Sequence, residues 1–208
     1  MKKNWLQKLL SWYKYMNNNT FTYTNILLNE IKEIKGEKII LKNKSFNDFA
    51  NDYMWRTDAE LSTLDATYPL DLSFKDFIKA YKSEIIKNTK NTARFSVFIN
   101  NEHIGNSMLY NIDYFNKSME LGIMIGKKNY WNKGYGTDSV NTMIKFIFNN
   151  TDFSKIYLHT LKWNTRAQQA FIKCGFKIIR EIQKDNKNFV FVMSELVKQN
   201  LIEIKIAC

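Results

Sequence analysis

A chain of 208 residues, 45% hydrophobic with one proline and seven glycines, has the material for one folded domain plus an extension. That excludes a collagen-like, low-complexity or disordered protein. Two cysteines (Cys174, Cys208) and two histidines (His103, His159) are too few for a disulfide framework or a histidine-rich metal site. No metal is expected, and reduced thiols suit a cytoplasmic protein. A net charge of +11 favours an anionic partner, RNA included, but the lysines are dispersed and read first as a compositional bias.

Residues 1–16 place Trp5, Leu6, Leu9, Leu10, Trp12, Tyr13 and Met16 on a broad helical face among lysines. Such a helix serves a core or a second copy before it serves a membrane surface, so a homodimer stays open and membrane contact is the lesser alternative. No apolar run approaches the roughly 20 residues of a membrane span. The basic start lacks a small-residue cleavage site, so no secretory signal is expected. After Gly36, Glu37–Lys42 reads as a strand. Ser45 caps a helix to about Trp55, and residues 56–72 read as irregular. Ser73, with Asp76 completing a capping pair, opens a helix with Phe74, Phe77, Ile78, Tyr81 and Ile85 on its buried stripe.

The period then changes to two. Strands are predicted over Arg94–Ile99, His103–Ile112 and Ser118–Ile125. A glycine-containing turn leads into a helix over Asp138–Phe148. Lys155–Leu161 is a strand, Asn164 caps a short helix, and Gly175 ends it. Phe176–Ile182 and Phe189–Glu195 form a final hairpin. Consecutive strands outnumber crossovers, so the order implies an α+β domain with one mostly antiparallel sheet flanked by helices, not a doubly wound fold. The expected organisation is an N-terminal helical extension (1–36), the α+β domain (37–195) and a tail (196–208).

The run YWNKGYGTDSVNTMIKF (Tyr130–Phe146) resembles the acyl-CoA-binding motif of the GNAT superfamily of N-acetyltransferases, with Gly134 and Gly136 in its glycine positions. Trp131 stands where Gln or Arg is usual, which is similar to the ribosomal-protein and spermidine acetyltransferase branch. The run NTRAQQAFIKCGF (Asn164–Phe176) resembles the family's second signature. Together they cover roughly residues 37–195 and imply the GNAT fold, acetyl-CoA as co-substrate, and transfer of an acetyl group to an amine by direct attack.

Asn132, Lys133, Gly134, Tyr135, Gly136 and Thr137 would then offer backbone donors, a cation and a hydroxyl to a pyrophosphate. The resemblance places Ile123, Met124 and Ile125 along the pantetheine arm, with backbone groups free on a splayed strand. It also brings Asn164 and Phe171 to the cofactor. Glu120 matches a position where some members carry a water-mediated general base; the alternative is a solvated strand residue. Phe171 stands where many members have a tyrosine acid, and it has no proton to give. A non-catalytic acyl-CoA-binding module is therefore an alternative, and an RNA- or protein-interaction protein is another. The acceptor, a small molecule or a protein N-terminus, is expected along Asp52–Pro69, where Trp55, Asp58 and Glu60 offer an aromatic face and acids to a cationic amine. His103 and His159 read as structural strand residues.

Overall fold

The computed structural model describes residues 31–86, 91–183 and 190–199. The chain divides after Ile31, and the unit that begins at Lys32 is described below. The expected helix over residues 1–16 and the tail beyond residue 199 lie outside the described residues.

Among the described residues, eight strands form one mixed sheet in the order β1-β2-β3-β4-β5-β6-β8-β7. β1 (Glu33–Lys35), β2 (Ile40–Asn43), β3 (Ala93–Ile99), β4 (Glu102–Asp113) and β5 (Ser118–Ile125) run antiparallel in succession. β6 (Lys155–Leu161) lies parallel to β5, and β8 (Val190–Val197) sits between β6 and β7 (Lys177–Gln183). The helices are α1 (Phe49–Thr57), α2 (Ala59–Leu64), α3 (Phe74–Ile86), α4 (Tyr135–Asn150) and α5 (Thr165–Lys173). The fold is α+β, as the element order implies.

The departures from expectation are local and have local causes. The sheet starts at Glu33, inside the stretch expected as an extension, and β2 starts at Ile40 rather than Glu37. Between them the chain turns, with Gly36 N–H donating to the Ile39 carbonyl at 2.8 Å. Asp138 holds this turn from across the fold. Its carboxylate accepts from the backbone N–H groups of Glu37, Lys38 and Ile39 at 3.2, 2.7 and 3.1 Å. The helix expected after Ser45 opens as a 3-10 turn over Phe46–Asp48, where Asp48 accepts from Ser45 N–H at 2.9 Å. The stretch 56–72, expected as irregular, contains α2, capped by Asp58 accepting from Leu61 N–H at 2.9 Å. Six residues are too few to show a helical period.

The two faces of the sheet do different work. On one, α4 buries Val140, Met143, Ile144 and Ile147 and packs on β5. Ile125 belongs to this face: a Cβ on Gly136 would lie 3.7 Å from its Cγ1. The other face is covered by α1. Asn106, in register with Met124, donates to Asp52 of α1 at 2.8 Å. Strand alternation therefore puts Glu120, Gly122 and Met124 on the α1 side.

A buried polar cluster seats α1. Lys44 Nζ lies 2.6 Å from Asp52 Oδ2, and Tyr81 O–H donates to the same oxygen at 2.6 Å. Burial pulls the Lys44 ammonium below its ordinary value, and the Asp52 charge offsets part of that. One turn on, Trp55 packs edge-on to the His103 ring, centroids 4.7 Å apart, and lies flat over Gly126. A Cβ on Gly126 would come within 2.1 Å of the indole. Gly126→Ala is therefore expected to displace Trp55 and destabilise the domain by about 1–3 kcal/mol, the usual range for overpacking. Urea unfolding measures this; an unchanged midpoint would mean the indole is not seated there.

Candidate active site

The turn before α4 is built to leave amides free. Asn132 and Gly134 have positive φ, 60° and 85°. Gly134 occupies the N-cap position, and no side chain caps the helix there. The first intrahelical bond runs from Asp138 N–H to the Gly134 carbonyl, so the N–H groups of Tyr135, Gly136 and Thr137 have no helical partner. A left-handed glycine followed by a run of uncapped amides is an anion cradle. Lys38 reaches the same turn, its Nζ donating to the Lys133 carbonyl at 3.4 Å. The Lys133 ammonium itself lies 6.0 Å from the Tyr130 ring.

Beside this turn the sheet opens. β5 stays paired with β4 out to Gly105↔Ile125. Its pairing with β6 covers only Ser118↔Lys155, Met119↔Ile156 and Glu120↔Tyr157. Beyond Glu120 the two strands part, and the edge of β5 that faces β6 has no ladder among the described residues. A cleft of about 480 Å³ runs from there to the turn. Its walls include Ile123, Met124 and Ile125 of β5, and Asn132, Gly134, Tyr135, Gly136 and Thr137 of the turn. Asn164 and Phe171 line the α5 side. Asn164 caps α5, its side chain accepting from Ala167 N–H at 3.2 Å.

Trp131 closes one end. Its indole N–H donates to the Ile125 carbonyl at 2.6 Å, and the Arg166 guanidinium lies 3.9 Å from its ring centroid. The tryptophan thus ties the turn to the end of β5 and carries a cation over the cleft.

Glu120 stands where the strands part. It is 3% exposed, so the solvated alternative does not hold. Oε1 accepts from Tyr110 O–H at 2.8 Å and lies 2.6 Å from His159 Nδ1; Oε2 accepts from Asn111 Nδ2 at 2.8 Å. Burial alone would raise the carboxyl, but the bonds from His159, Tyr110 and Asn111 together hold it below the ordinary carboxylate value. Sequence reasoning missed His159, Tyr110 and Asn111 as members of one cluster. Only the alternation that puts Tyr157 and His159 on one side of β6 hinted at it.

The acids of the segment 52–69 separate by environment. Asp52 is buried with Lys44. Asp58 and Glu60 both pair with Lys128, at 2.8 and 2.7 Å, and so hold α2 against the 3-10 turn Lys128–Tyr130. Trp55 is 5% exposed and does not line the cleft. The structure thus gives Trp55, Asp58 and Glu60 packing and pairing roles, where the sequence suggested acceptor contacts. The residues of this segment that reach the cleft are Leu61, Leu64 and Asp65. Asp65 is exposed, and no hydrogen bond or ion pair engages its side chain among the described residues. Surrounding protein raises its carboxyl above the ordinary value, and the Arg56 charge pulls back against that.

Neither Phe171 nor Cys174 can supply a proton to a leaving group. Phe171 presents a hydrocarbon ring. The Cys174 thiol is buried, points at the Thr137 carbonyl 3.7 Å away, and is pushed up by burial to about 12.

Residues 38–177 match the family model of an acetyltransferase (GNAT) domain, well over half of the chain. The fold recurs in solved structures. A GNAT-family acetyltransferase from Bacillus anthracis is 17% identical with a TM-score of 0.67, over 80% of this chain and 99% of that one. The spermidine N-acetyltransferase of Vibrio cholerae, solved with coenzyme A and spermine, is 20% identical with a TM-score of 0.69, over 79% and 98%. An aminoglycoside acetyltransferase solved with coenzyme A is 16% identical with a TM-score of 0.66, over 80% and 99%. At these identities the likeness is one of fold.

Gly136→Val offers a clean test of the turn. Its Cβ meets nothing closer than 3.7 Å within the protein, so the variant should fold with an unchanged melting temperature. The added methyls take up space in the cleft that Gly136 lines, and acetyl-CoA affinity should fall at least about tenfold, or 1.4 kcal/mol. Titration calorimetry reads this; an unchanged Kd would remove the turn from the binding site.

Proposed function

The chain belongs to the GNAT acetyltransferase family, and on that premise we propose that it moves an acetyl group from acetyl-CoA to an amine by direct attack in a ternary complex. The observation that carries this reading is the parting of β5 and β6 at Glu120 and Tyr157, directly beside a left-handed glycine turn. The turn would hold the pyrophosphate. The unpaired edge of β5 over Ile123–Ile125 would hydrogen-bond the pantetheine arm and bring the thioester to the parting point. A backbone N–H there would stabilise the oxyanion as the amine attacks. The acceptor enters from the α1 and α2 side, the face that carries Glu120. No covalent enzyme intermediate is required.

Asp65 is the acid we assign to the acceptor. Asp52, Asp58 and Glu60 already have cationic partners. Asp65 lines the cleft with no ion-paired cation among the described residues, beside Leu61 and Leu64, and suits a cationic amine with an apolar stem. The spermidine and aminoglycoside acetyltransferases of this fold act on polyvalent amines, and that supports a cationic acceptor here. Phe171 favours one other reading, a module that binds acyl-CoA without turnover. Since thiolate is a fair leaving group, water can protonate it and a missing tyrosine does not forbid catalysis.

Thiol release from acetyl-CoA with spermidine, kanamycin and a peptide with a free N-terminus separates the two readings. Release with one of them supports transfer; tight acetyl-CoA binding with release from none supports the module. With an active acceptor, Asp65→Asn is expected to raise its KM about tenfold while kcat changes little, as loss of one ground-state ion pair does. An unchanged KM would clear Asp65 of that role.

A further inference from the structure

Glu120 is well placed for proton transfer and poorly equipped for it. Its two oxygens already face three side-chain donors, and 4% of the side chain is exposed. A carboxylate so satisfied gives up hydrogen bonds if it takes a proton. Its contact with His159 points to a different acceptor. A carboxylate can only accept, so the 2.6 Å contact puts the hydrogen on His159 Nδ1. In the neutral ring that leaves a lone pair on Nε2. No described residue bonds to Nε2, and the imidazole is the more exposed of the two, 14% against 4%.

The pair also stands in the right place. Tyr157, two residues before His159 on β6, is the last residue paired with β5. His159 is therefore on the first stretch of β6 released from that pairing, on the face shared by Glu120. Tyr157 packs edge-on to the imidazole, centroids 5.9 Å apart. Tyr110 braces Glu120 from β4. The dyad thus stands where β5 and β6 part, on the sheet face from which the proposed acceptor enters, with neither side chain among those that line the cleft itself.

We infer that His159 Nε2 takes the proton from the acceptor ammonium, with Glu120 as the positioning residue that fixes its tautomer and orientation. This rests on the amine-transfer reading above. The ammonium gives one proton to Nε2, and the freed nitrogen lone pair forms the C–N bond to the thioester carbon. As the C–S bond breaks, its electron pair leaves on sulfur. The nitrogen sheds its second proton, and the thiolate takes one up from water. The imidazolium returns its proton to solvent. Net, one amine proton ends on the thiol and one in water.

Two measurements test this. With only two histidines in the chain, nitrogen-15 NMR of histidine-labelled protein can resolve both rings. At pH 8, His159 should carry its proton on Nδ1, with a bare Nε2. The Nε2–H tautomer, or a doubly protonated ring, would overturn the assignment, because neither has a lone pair on Nε2. The second measurement is turnover of His159→Gln with whichever of spermidine, kanamycin or the peptide the natural protein acetylates. Glutamine fills the space and can still donate to Glu120. Acetyl-CoA Kd and acceptor KM should hold while kcat falls about a hundredfold or more, the scale of a lost general base. Added imidazole should restore part of the rate to His159→Ala. Turnover of His159→Gln close to that of the natural protein would sink the proposal. If the natural protein acetylates none of the three, the amine-transfer reading is what fails, and the tautomer alone decides the assignment of His159.

Discussion

The architecture turns on a strand pair that is allowed to form for three residues and no further. β6 is fully engaged on its other edge, paired with β8 along all of Lys155–Leu161. β5 is likewise engaged by β4 out to Ile125. Each half of the sheet is complete without the other, so their shared ladder can end at Glu120↔Tyr157 without either half coming apart. The cost is a row of backbone groups on β5 with no ladder. Unsatisfied buried groups cost about 1–3 kcal/mol each, which favours any ligand that brings amides of its own. Such an edge offers backbone rather than side chains, which is compatible with Ile, Met and Ile at these positions.

The glycine turn depends on that opening. Gly134 and Gly136 make amides available, but those amides become a site only because the chain enters α4 at the mouth of the cleft. Trp131 fixes the distance between the two parts through its bond to the Ile125 carbonyl. From behind, Asp138 ties the first turn of α4 to the β1–β2 turn and brings Lys38 to Lys133. The opposite wall is held by different means. Lys44, Asp52 and Tyr81 seat α1, Trp55 rests on Gly126, and Lys128 grips both Asp58 and Glu60 at the start of α2. Acids that look available in the sequence are therefore consumed in construction, and Asp65 at the end of α2 is left facing the cleft.

Much of the fold was legible because its signals are local. Period-two runs marked β3, β4 and β5 nearly to the residue, and Asn164 and Gly175 marked the two ends of α5. Gly175 has the positive φ of 91° that its position implied. The short elements were not legible. β1 has three residues and α2 has six, too few for a period to repeat. At the site, the residues named for the cofactor lie along one cleft, Lys133 at its edge. The pairing of the acids in 52–69 was not legible, because an acid's sequence neighbours do not reveal whether a lysine reaches it from 68 or 70 residues away, as Lys128 reaches Glu60 and Asp58.

By itself the sequence determined the order of the longer elements, the family resemblance and the strand–turn–helix that offers free amides, since each follows from neighbours within a few positions. Only the tertiary structure decided which side chains meet. Glu120 and His159 are 39 residues apart, on parallel strands whose register comes from the whole sheet. A one-residue slip of β6 would turn the imidazole to the other face and leave the carboxylate without its partner.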